Sequence, residues 1–379
     1  MRKILIIGNA DSIWVKNYIE HILMSDDYEV YLTTTSLKTR FDIFYQQRHV
    51  FLVPLQRRAS LLDKIPKLNG IANILTRVKS LKKYGFFDVI HVHYVTRAAL
   101  LLAKLLKQSN TRIVVSYWGS DLLRKGAREL KKESKFFSEI SCFTLSSDAM
   151  YEKFIKVYSH KYSERINKVR FGVSGFLSIM HVKETLSIED CKKSIGADPQ
   201  KVLIAIGYNK AQGQQHDKVL SQIQTLDKSL QERIELVLQC GYGECSEEYW
   251  ERLQQIISTL SCKTIILTNY MSDIDVAKLR YAVDIYINAQ ITDAFSATMQ
   301  EYLFSGAMVL NPIWLSYPEI SEFGLSCVEY KDISEIPEVV AKIISAGVYR
   351  QLENAAIYQY SSWENLKKGW EKSYFFPIV

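Results

Sequence analysis

Two short apolar runs, each closed by glycine, constrain this chain more than any other feature. Residues 3–8 read KILIIG and residues 201–207 read KVLIAIG. An apolar run of this length ending in Gly predicts a strand buried on both faces of a parallel sheet. Each run opens a series. After the first come a helical pattern over 12–24, strands at 28–33 (YEVYLT), 88–92 (DVIHV), 112–116 (RIVVS) and 140–145, and helices over 97–107 and from 147. After the second come strands at 234–240, 264–268, 284–288 and 308–310, with helices over 215–230, 247–260, 273–281 and 297–305. Strand–helix–strand alternation at this spacing predicts βαβ units, and two series predict two doubly wound, Rossmann-like α/β domains. The segment 169–182 (VRFGVSGFLSIMHV) holds two glycines and shows no helical period, so the boundary is placed there. The domains run over 1–175 and 176–360, followed by a terminal helix over 361–379. Ligands of such folds sit at the carboxyl ends of the strands, so two facing domains predict a central cleft.

Several classes of function fall away. No apolar run approaches the roughly 18 residues of a membrane span. The apolar stretch 4–7 is too short for a signal peptide, which makes a cytoplasmic protein the expectation. The six cysteines (Cys142, Cys191, Cys240, Cys245, Cys262, Cys327) are scattered, and no second pair or nearby His completes a zinc site around Cys240 and Cys245. Buried free thiols are expected. The first βα turn, Gly8-Asn9-Ala10-Asp11-Ser12, lacks GxGxxG, and no GxxxxGK[ST] occurs, so neither a dinucleotide dehydrogenase nor a P-loop protein is supported. Asp273-Ile274-Asp275 has a metal-binding form but sits at a helix start, where capping explains it. No metal and no cofactor are expected.

The net charge of +7 hides a division. Residues 1–180 hold 30 basic and 15 acidic side chains, whereas residues 181–379 hold 18 and 26. Much of the surplus lies in 57–83, where Arg57, Arg58, Lys64, Lys67, Arg77, Lys79, Lys82 and Lys83 face a single acid, Asp63. Leu61, Leu62, Ile65, Leu68, Ile71, Ile74, Leu75 and Leu81 interleave with them. Basic and apolar residues at helical spacing suit an anionic membrane surface; a solvated helix packed on its apolar side is the other reading. Residues 124–135 add six basic side chains against two acidic ones. Nucleic acid is the poorer explanation, because no recognition motif accompanies the charge.

The most informative segment is 287–312, INAQITDAFSATMQEYLFSGAMVLNP. It reads strand, loop, helix, glycine, strand, proline. Asp293 lies in the loop and Glu301 follows eight residues later inside the helix. A helix starting near Ser296 offers free N–H groups and the positive end of its dipole to a phosphate. A carboxylate one or two turns in can accept hydrogen bonds from ribose or sugar hydroxyls. An acid that merely stabilises the helix start is the structural alternative.

Here the chain resembles a family. Acidic-x7-Glu followed by Ser-Gly and an apolar strand is similar to the Glu-x7-Glu signature of family 4 glycosyltransferases of GT-B fold. Residues 87–93 (FDVIHVH) resemble the strand before that fold's cleft, Trp118-Gly119-Ser120-Asp121 its His-Gly-Ser-Asp turn, and 168–173 (KVRFGV) the approach to its linker. Residues 362–365 (SWEN) resemble the start of its terminal helix, which crosses back to the first domain. Three departures stand out: Asp293 replaces the first Glu, Trp118 replaces the His beside the donor sugar, and the loop 207–210 (GYNK) has no Arg. The resemblance implies a glycosyltransferase of surface polysaccharide synthesis, O-antigen or capsule, at the inner face of the membrane. It implies that Glu301 binds ribose, that Asp293 contacts the donor sugar, and that backbone around Phe295, Ser296, Ala297 and Thr298 holds sugar and phosphate. Gly207, Asn209 and Lys210 then face the diphosphate, with Lys210 and the helix terminus stabilising its departure without a metal. The Trp-Gly-x-Asp turn is also similar to that of the inverting fucosamine transferases with lipid-linked acceptors. Retention is the expected outcome and inversion the other.

On the first domain Asp121 reads as a base or acceptor-orienting group, or as a helix N-cap for 122–135. His91 and His93 share one face of a strand, so one can reach an acceptor while a packed role suits at least one. Asn9 and Asp11 sit where an acceptor can bind, and turn chemistry would choose them too. Asn9, Asp11, His93 and Trp118 are the acceptor candidates. The expected partners are a nucleotide-sugar, a lipid-linked glycan and an anionic membrane, with no nucleic acid. Two rivals remain: a non-hydrolysing nucleotide-sugar epimerase and a catalytically inactive partner subunit.

Overall fold

The strand Val89–His93 is buried at all five positions, as parallel sheets covered by helices on both faces require. The structure is a computed structural model that describes residues 1–34, 38–55, 66–293, 295–351 and 355–377. It divides into two units, Met1–Gly172 with Trp363–Val379, and Val173–Ser362.

In the first unit the strands are β1 (Arg2–Ile7), β2 (Tyr28–Thr34), β3 (Phe51–Pro54), β4 (Val89–His93), β5 (Arg112–Ser116), β6 (Cys142–Leu145) and β7 (Ile166–Lys168). They lie in the order β3-β2-β1-β4-β5-β6-β7. All pairs are parallel; Ile4 of β1 stands opposite Val30 on one side and Val89 on the other. The second unit holds β8 (Val202–Ile206), β9 (Ile234–Gln239), β10 (Lys263–Leu267), β11 (Ile285–Ile287), β12 (Met308–Pro312) and β13 (Val328–Tyr330). Their order, β10-β9-β8-β11-β12-β13, is again wholly parallel. Both orders reverse once, between β1 and β4 and between β8 and β11. A doubly wound sheet opens a crevice for ligands at such a point, outside the carboxyl ends of the strands.

The terminal helix, Trp363–Lys372, packs in the first unit. Trp363 and Trp370 are buried with Tyr374 against β1 and its helix. Trp370 Nε1 donates to the Arg170 carbonyl at 2.7 Å, and Asn167 Nδ2 to Gly369 O at 2.8 Å. Gly172 is required beside it, because a Cβ there would stand 2.5 Å from the Trp363 ring.

Some expectations are corrected. The boundary segment holds a helix, Gly175–Thr185, whose period was hidden because the window straddled extended chain before Gly175. The helix expected over 122–135 is two short pieces, Ser120–Leu123 and Ala127–Lys131, parted at Gly126. The edge strands β3 and β13 carry no signal in the sequence, and β7 ends at Lys168, where the resemblance implies that a strand leading into the linker begins. All six cysteines are free, four buried and two half-buried.

Candidate functional site

The loop after β8 turns at Gly207, whose φ of +62° suits glycine, and a Cβ there would meet His216 Nε2 at 2.7 Å and Gln214 Oε1 at 2.8 Å. Burial pushes His216 down to about 4, so it stays neutral at pH 7. The Tyr208 N–H donates to Gln214 Oε1 (3.3 Å). Tyr208 Oη and Gln214 Nε2 both donate to Gln290 Oε1, at 3.2 and 3.1 Å, tying this loop to the one after β11. Asn209 Oδ1 accepts from the Ala211 N–H at 2.9 Å, which closes the turn. Lys210 donates its backbone N–H to Tyr242 O at 3.0 Å, and its ammonium has no hydrogen-bond partner among the described residues.

Asp293 stands after β11, where its Oδ2 accepts from the Ser296 N–H at 2.9 Å and from Tyr317 Oη at 2.7 Å. Ser296 caps the helix Ala297–Ser305, its Oγ accepting from the Met299 N–H at 3.3 Å. Phe295 holds a φ of +56°, a strained conformation for a bulky side chain costing about 1–3 kcal/mol. Its ring is buried 5.1 Å from that of Tyr317, and its carbonyl accepts from Gln300 Nε2 at 2.8 Å. The strain is thus held by contacts on both sides. The first-turn N–H groups of Ala297 and Thr298 have no carbonyl inside the helix to bond. This end of the helix therefore presents donors and positive potential.

Glu301, one turn further, is 8 % exposed and meets Arg280, which is 2 % exposed. Arg280 Nε donates to Glu301 Oε2 at 3.0 Å. Its Nη1 donates to Gln239 Oε1 at 3.1 Å and Tyr302 Oη at 3.0 Å, and Nη2 to Thr298 Oγ1 at 3.4 Å. Burial opposes the Arg280 charge, but Tyr302 and Glu301 outweigh it and hold the guanidinium ionised. Burial raises the Glu301 carboxyl, and Arg280 offsets part of that rise. Glu301 Oε1 lies against Gly175, where a Cβ would approach to 2.3 Å. Arg280 is the main participant that sequence reasoning missed. Its signal was an arginine among apolar neighbours in the last turn of a helix (LRYAV).

In the first unit a cavity of about 780 Å³ opens at the β1–β4 reversal. Asn9, His93 and Trp118 line it together; Asp11 does not. Asn9 Oδ1 accepts from the Asp11 N–H at 3.0 Å, and Asp11 Oδ1 accepts from the Arg40 N–H at 2.8 Å, so both also perform turn chemistry. His91 is the packed histidine of the pair: Nδ1 lies 3.0 Å from Tyr374 Oη and Nε2 2.6 Å from Ser116 Oγ. Neither ring nitrogen of His93 has a partner among the described residues, and burial pushes it down to about 3. Asp121 is 1 % exposed, and its oxygens accept the Val95 N–H (2.6 Å) and the Trp118 N–H (2.8 Å). It clasps the loops after β4 and β5, and so sets where Trp118 lies. It does not cap a helix over 122–135, which the chain does not form.

The basic segment reaches the described structure only in part. Arg57, Arg58, Leu61, Leu62, Asp63, Lys64 and Ile65, with the side chains of Lys67 and Leu68, lie outside the described residues. The rest forms the helix Pro66–Lys82. Ile74 and Val78 pack on the core and Leu81 is buried in it, while Ile71 and Leu75 are more than half exposed. No helix among the described residues is long and apolar enough to cross a membrane. No group of three or more His, Cys, Asp or Glu side chains placed to hold a metal ion occurs among them either.

Comparison with known proteins places this architecture. Residues 3–148 match the glycosyl transferase 4-like family model. No curated protein sequence matches the chain significantly. Among solved structures, a glycosyltransferase from Rickettsia africae superposes with a TM-score of 0.72 at 14% identity, covering 98% of this chain and 97% of that one. Anabaena HepE in complex with UDP-glucose gives 0.70 at 15% identity, covering 98% and 99%. A sucrose-phosphate synthase from Thermosynechococcus elongatus gives 0.69 at 14% identity, covering 99% and 98%. The expectation of a GT-B fold is thereby met, and within that fold residues 3–148 are similar to the glycosyl transferase 4-like family.

Proposed function

We propose that the chain transfers a sugar from a nucleotide-sugar, held by the second unit, to a lipid-linked glycan held by the first, with retention of configuration. The observation that carries this is the start of the helix Ala297–Ser305, with Asp293 beside it and Glu301 one turn inside. The anomeric C–O bond to the diphosphate breaks as the acceptor hydroxyl oxygen bonds to the anomeric carbon; the hydroxyl proton leaves with the diphosphate, on whose oxygens negative charge gathers. The helix N-terminus and the Lys210 ammonium stabilise that charge, with no metal required. Asp293, fixed by Tyr317 and the Ser296 N–H, contacts the donor sugar. Glu301 Oε1, left over from the Arg280 pair, accepts from ribose.

The first unit brings the acceptor to an anionic membrane at the inner face. Ile71, Leu75, Lys79 and Lys82 recur at three- and four-residue spacing along one side of their helix, and all are exposed. Each such lysine contributes about 1 kcal/mol near an anionic surface. Synthesis of O-antigen or capsule is the setting this reading favours.

The test is to incubate the chain with UDP-, GDP- and TDP-sugars and a membrane lipid extract, and to follow labelled sugar into lipid. Transfer by the wild-type chain that falls at least about tenfold in Lys210→Ala supports the reading; transfer unaffected by Lys210→Ala and by Glu301→Gln refutes the site. A second reading, an inactive partner subunit, draws on the engagement of Glu301 by Arg280. Nucleotide binding without turnover of any donor would favour it.

A further inference from the structure

Several half-buried cations of the first unit pair with carboxylates, and others, such as Arg112 and Arg165, bond to backbone carbonyls. Lys16 pairs with Glu20, Lys107 with Glu139 at 2.9 Å, and Lys125 with Glu133 at 2.6 Å. Arg77 has neither kind of partner among the described residues and lines a cavity. It is half-buried on the helix Pro66–Lys82, and among the described residues its guanidinium has neither an ion pair nor a hydrogen bond. Burial lowers its pKa, and no acid among the described residues offsets the effect. An uncompensated, partly desolvated guanidinium costs free energy unless something supplies an anion.

The surroundings say what that something is. Gly70, Asn73, Ile74 and Arg77 are spaced three and four residues apart, and all four line the 780 Å³ cavity at the β1–β4 reversal. Apart from His93, kept neutral by burial, Arg77 is the one charged side chain among the described lining residues. Tyr94 and Trp118 add aromatic faces, and Asn9 and Asn73 add amides. Three buried groups of the wall, Thr33 Oγ1, the His93 ring nitrogens and Trp118 Nε1, have no partner among the described residues. Buried polar atoms are rarely left so in a site with no ligand or water. A cavity of about 300–1,000 Å³ suits a small ligand. Aromatic faces and amides suit sugar rings, and a guanidinium suits a carboxylate or phosphoryl group through paired N–H donors.

We propose that this cavity binds an anionic acceptor, with Arg77 gripping a carboxylate or phosphoryl oxygen beside a sugar ring held by Trp118, Tyr94 and Asn73. The proposal rests on the reading of the first unit as the acceptor unit. It also divides the basic helix by face: Arg77 turns inward to the ligand, whereas Lys79, Lys82 and Lys83 stay on the outside.

Calorimetry on the full chain with three probes tests it: 4-nitrophenyl glucuronide for the carboxylate, glucose 1-phosphate for the phosphoryl, and 4-nitrophenyl glucoside as the neutral control. One anionic probe should bind at least about tenfold more tightly than the glucoside, and which one identifies the source of the charge. Arg77→Gln should erase that preference and Arg77→Lys keep part of it, with melting curves confirming that both variants fold. A glucoside that binds as tightly as both anions, or anion binding unchanged in Arg77→Gln, overturns the proposal. An anion that binds through Arg77, yet whose lipid-linked form accepts no sugar, would sink the acceptor reading and leave the anion site standing.

Discussion

Arg280→Met is the most informative perturbation of the second unit, because it separates a buried charge from its partner while keeping much of the side-chain volume. The guanidinium gives hydrogen bonds to Glu301, Gln239, Tyr302 and Thr298. Its loss leaves Glu301, 8 % exposed, without a cation. Removing one partner of a buried pair costs about 3–5 kcal/mol. Part of that cost depends on pH. Burial already raises the Glu301 carboxyl, and without Arg280 nothing offsets the rise. A carboxyl raised in the folded state keeps a proton that the unfolded chain releases. Stability is therefore present at low pH and lost as pH climbs from the unfolded value towards the folded one, by about 1.4 kcal/mol for each unit between them. The deficit of Arg280→Met should be clearly smaller at pH 5 than at pH 8. Hydrogen exchange of the helices Asp273–Ala282 and Ala297–Ser305 reads it, since a two-unit chain need not unfold in one step. Arg280→Met combined with Glu301→Gln should recover most of the loss, because the second change removes the stranded charge. A deficit equal at both pH values, or under about 0.5 kcal/mol at pH 8, would refute the dependence of Glu301 on Arg280.

Three further perturbations test neighbouring claims. Gly175→Ala places a methyl 2.3 Å from Glu301 Oε1 and should displace the carboxylate, weakening about tenfold by calorimetry the binding of whichever of UDP, GDP and TDP the wild-type chain binds; unchanged affinity would detach Glu301 from the nucleotide. Gly172→Ala drives a methyl to 2.5 Å from the Trp363 ring and should cost about 1–3 kcal/mol of overpacking. Limited proteolysis would show it as faster nicking near 363–377, and unaltered protection would contradict it. Lys79→Glu, Lys82→Glu and Lys83→Glu together should abolish cosedimentation with anionic vesicles, given about 1 kcal/mol per lysine; retained binding would remove the membrane from the reading.

How much of this was legible depended on whether the information was local. The strands at the two reversals were legible because a buried parallel strand is written in consecutive residues: Ile4–Ile7 and Leu203–Ile206 are apolar in an unbroken run and buried throughout. Asp293, Ser296 and Glu301 were legible because one loop and one helix carry them all. Arg280 was not, since it reaches Glu301 from a different helix, the one before β11, and only packing of the two helices brings the side chains together. The short edge strands β3, β7 and β13 have three or four residues each, too few for a period to register. The basic helix shows the same limit in another form. Its composition gave charge and apolar spacing, but a helix packed against a sheet has three sides, and composition cannot say which residue faces which. Ile74 and Val78 pack on the core, and that one fact turns Arg77 inward beside Asn73 and leaves Lys79 and Lys82 outside. The positive charge of the first unit therefore has two destinations. Exchanging Arg77 for Gln and exchanging the outer lysines for Glu should affect different observables, ligand selectivity in one case and vesicle binding in the other.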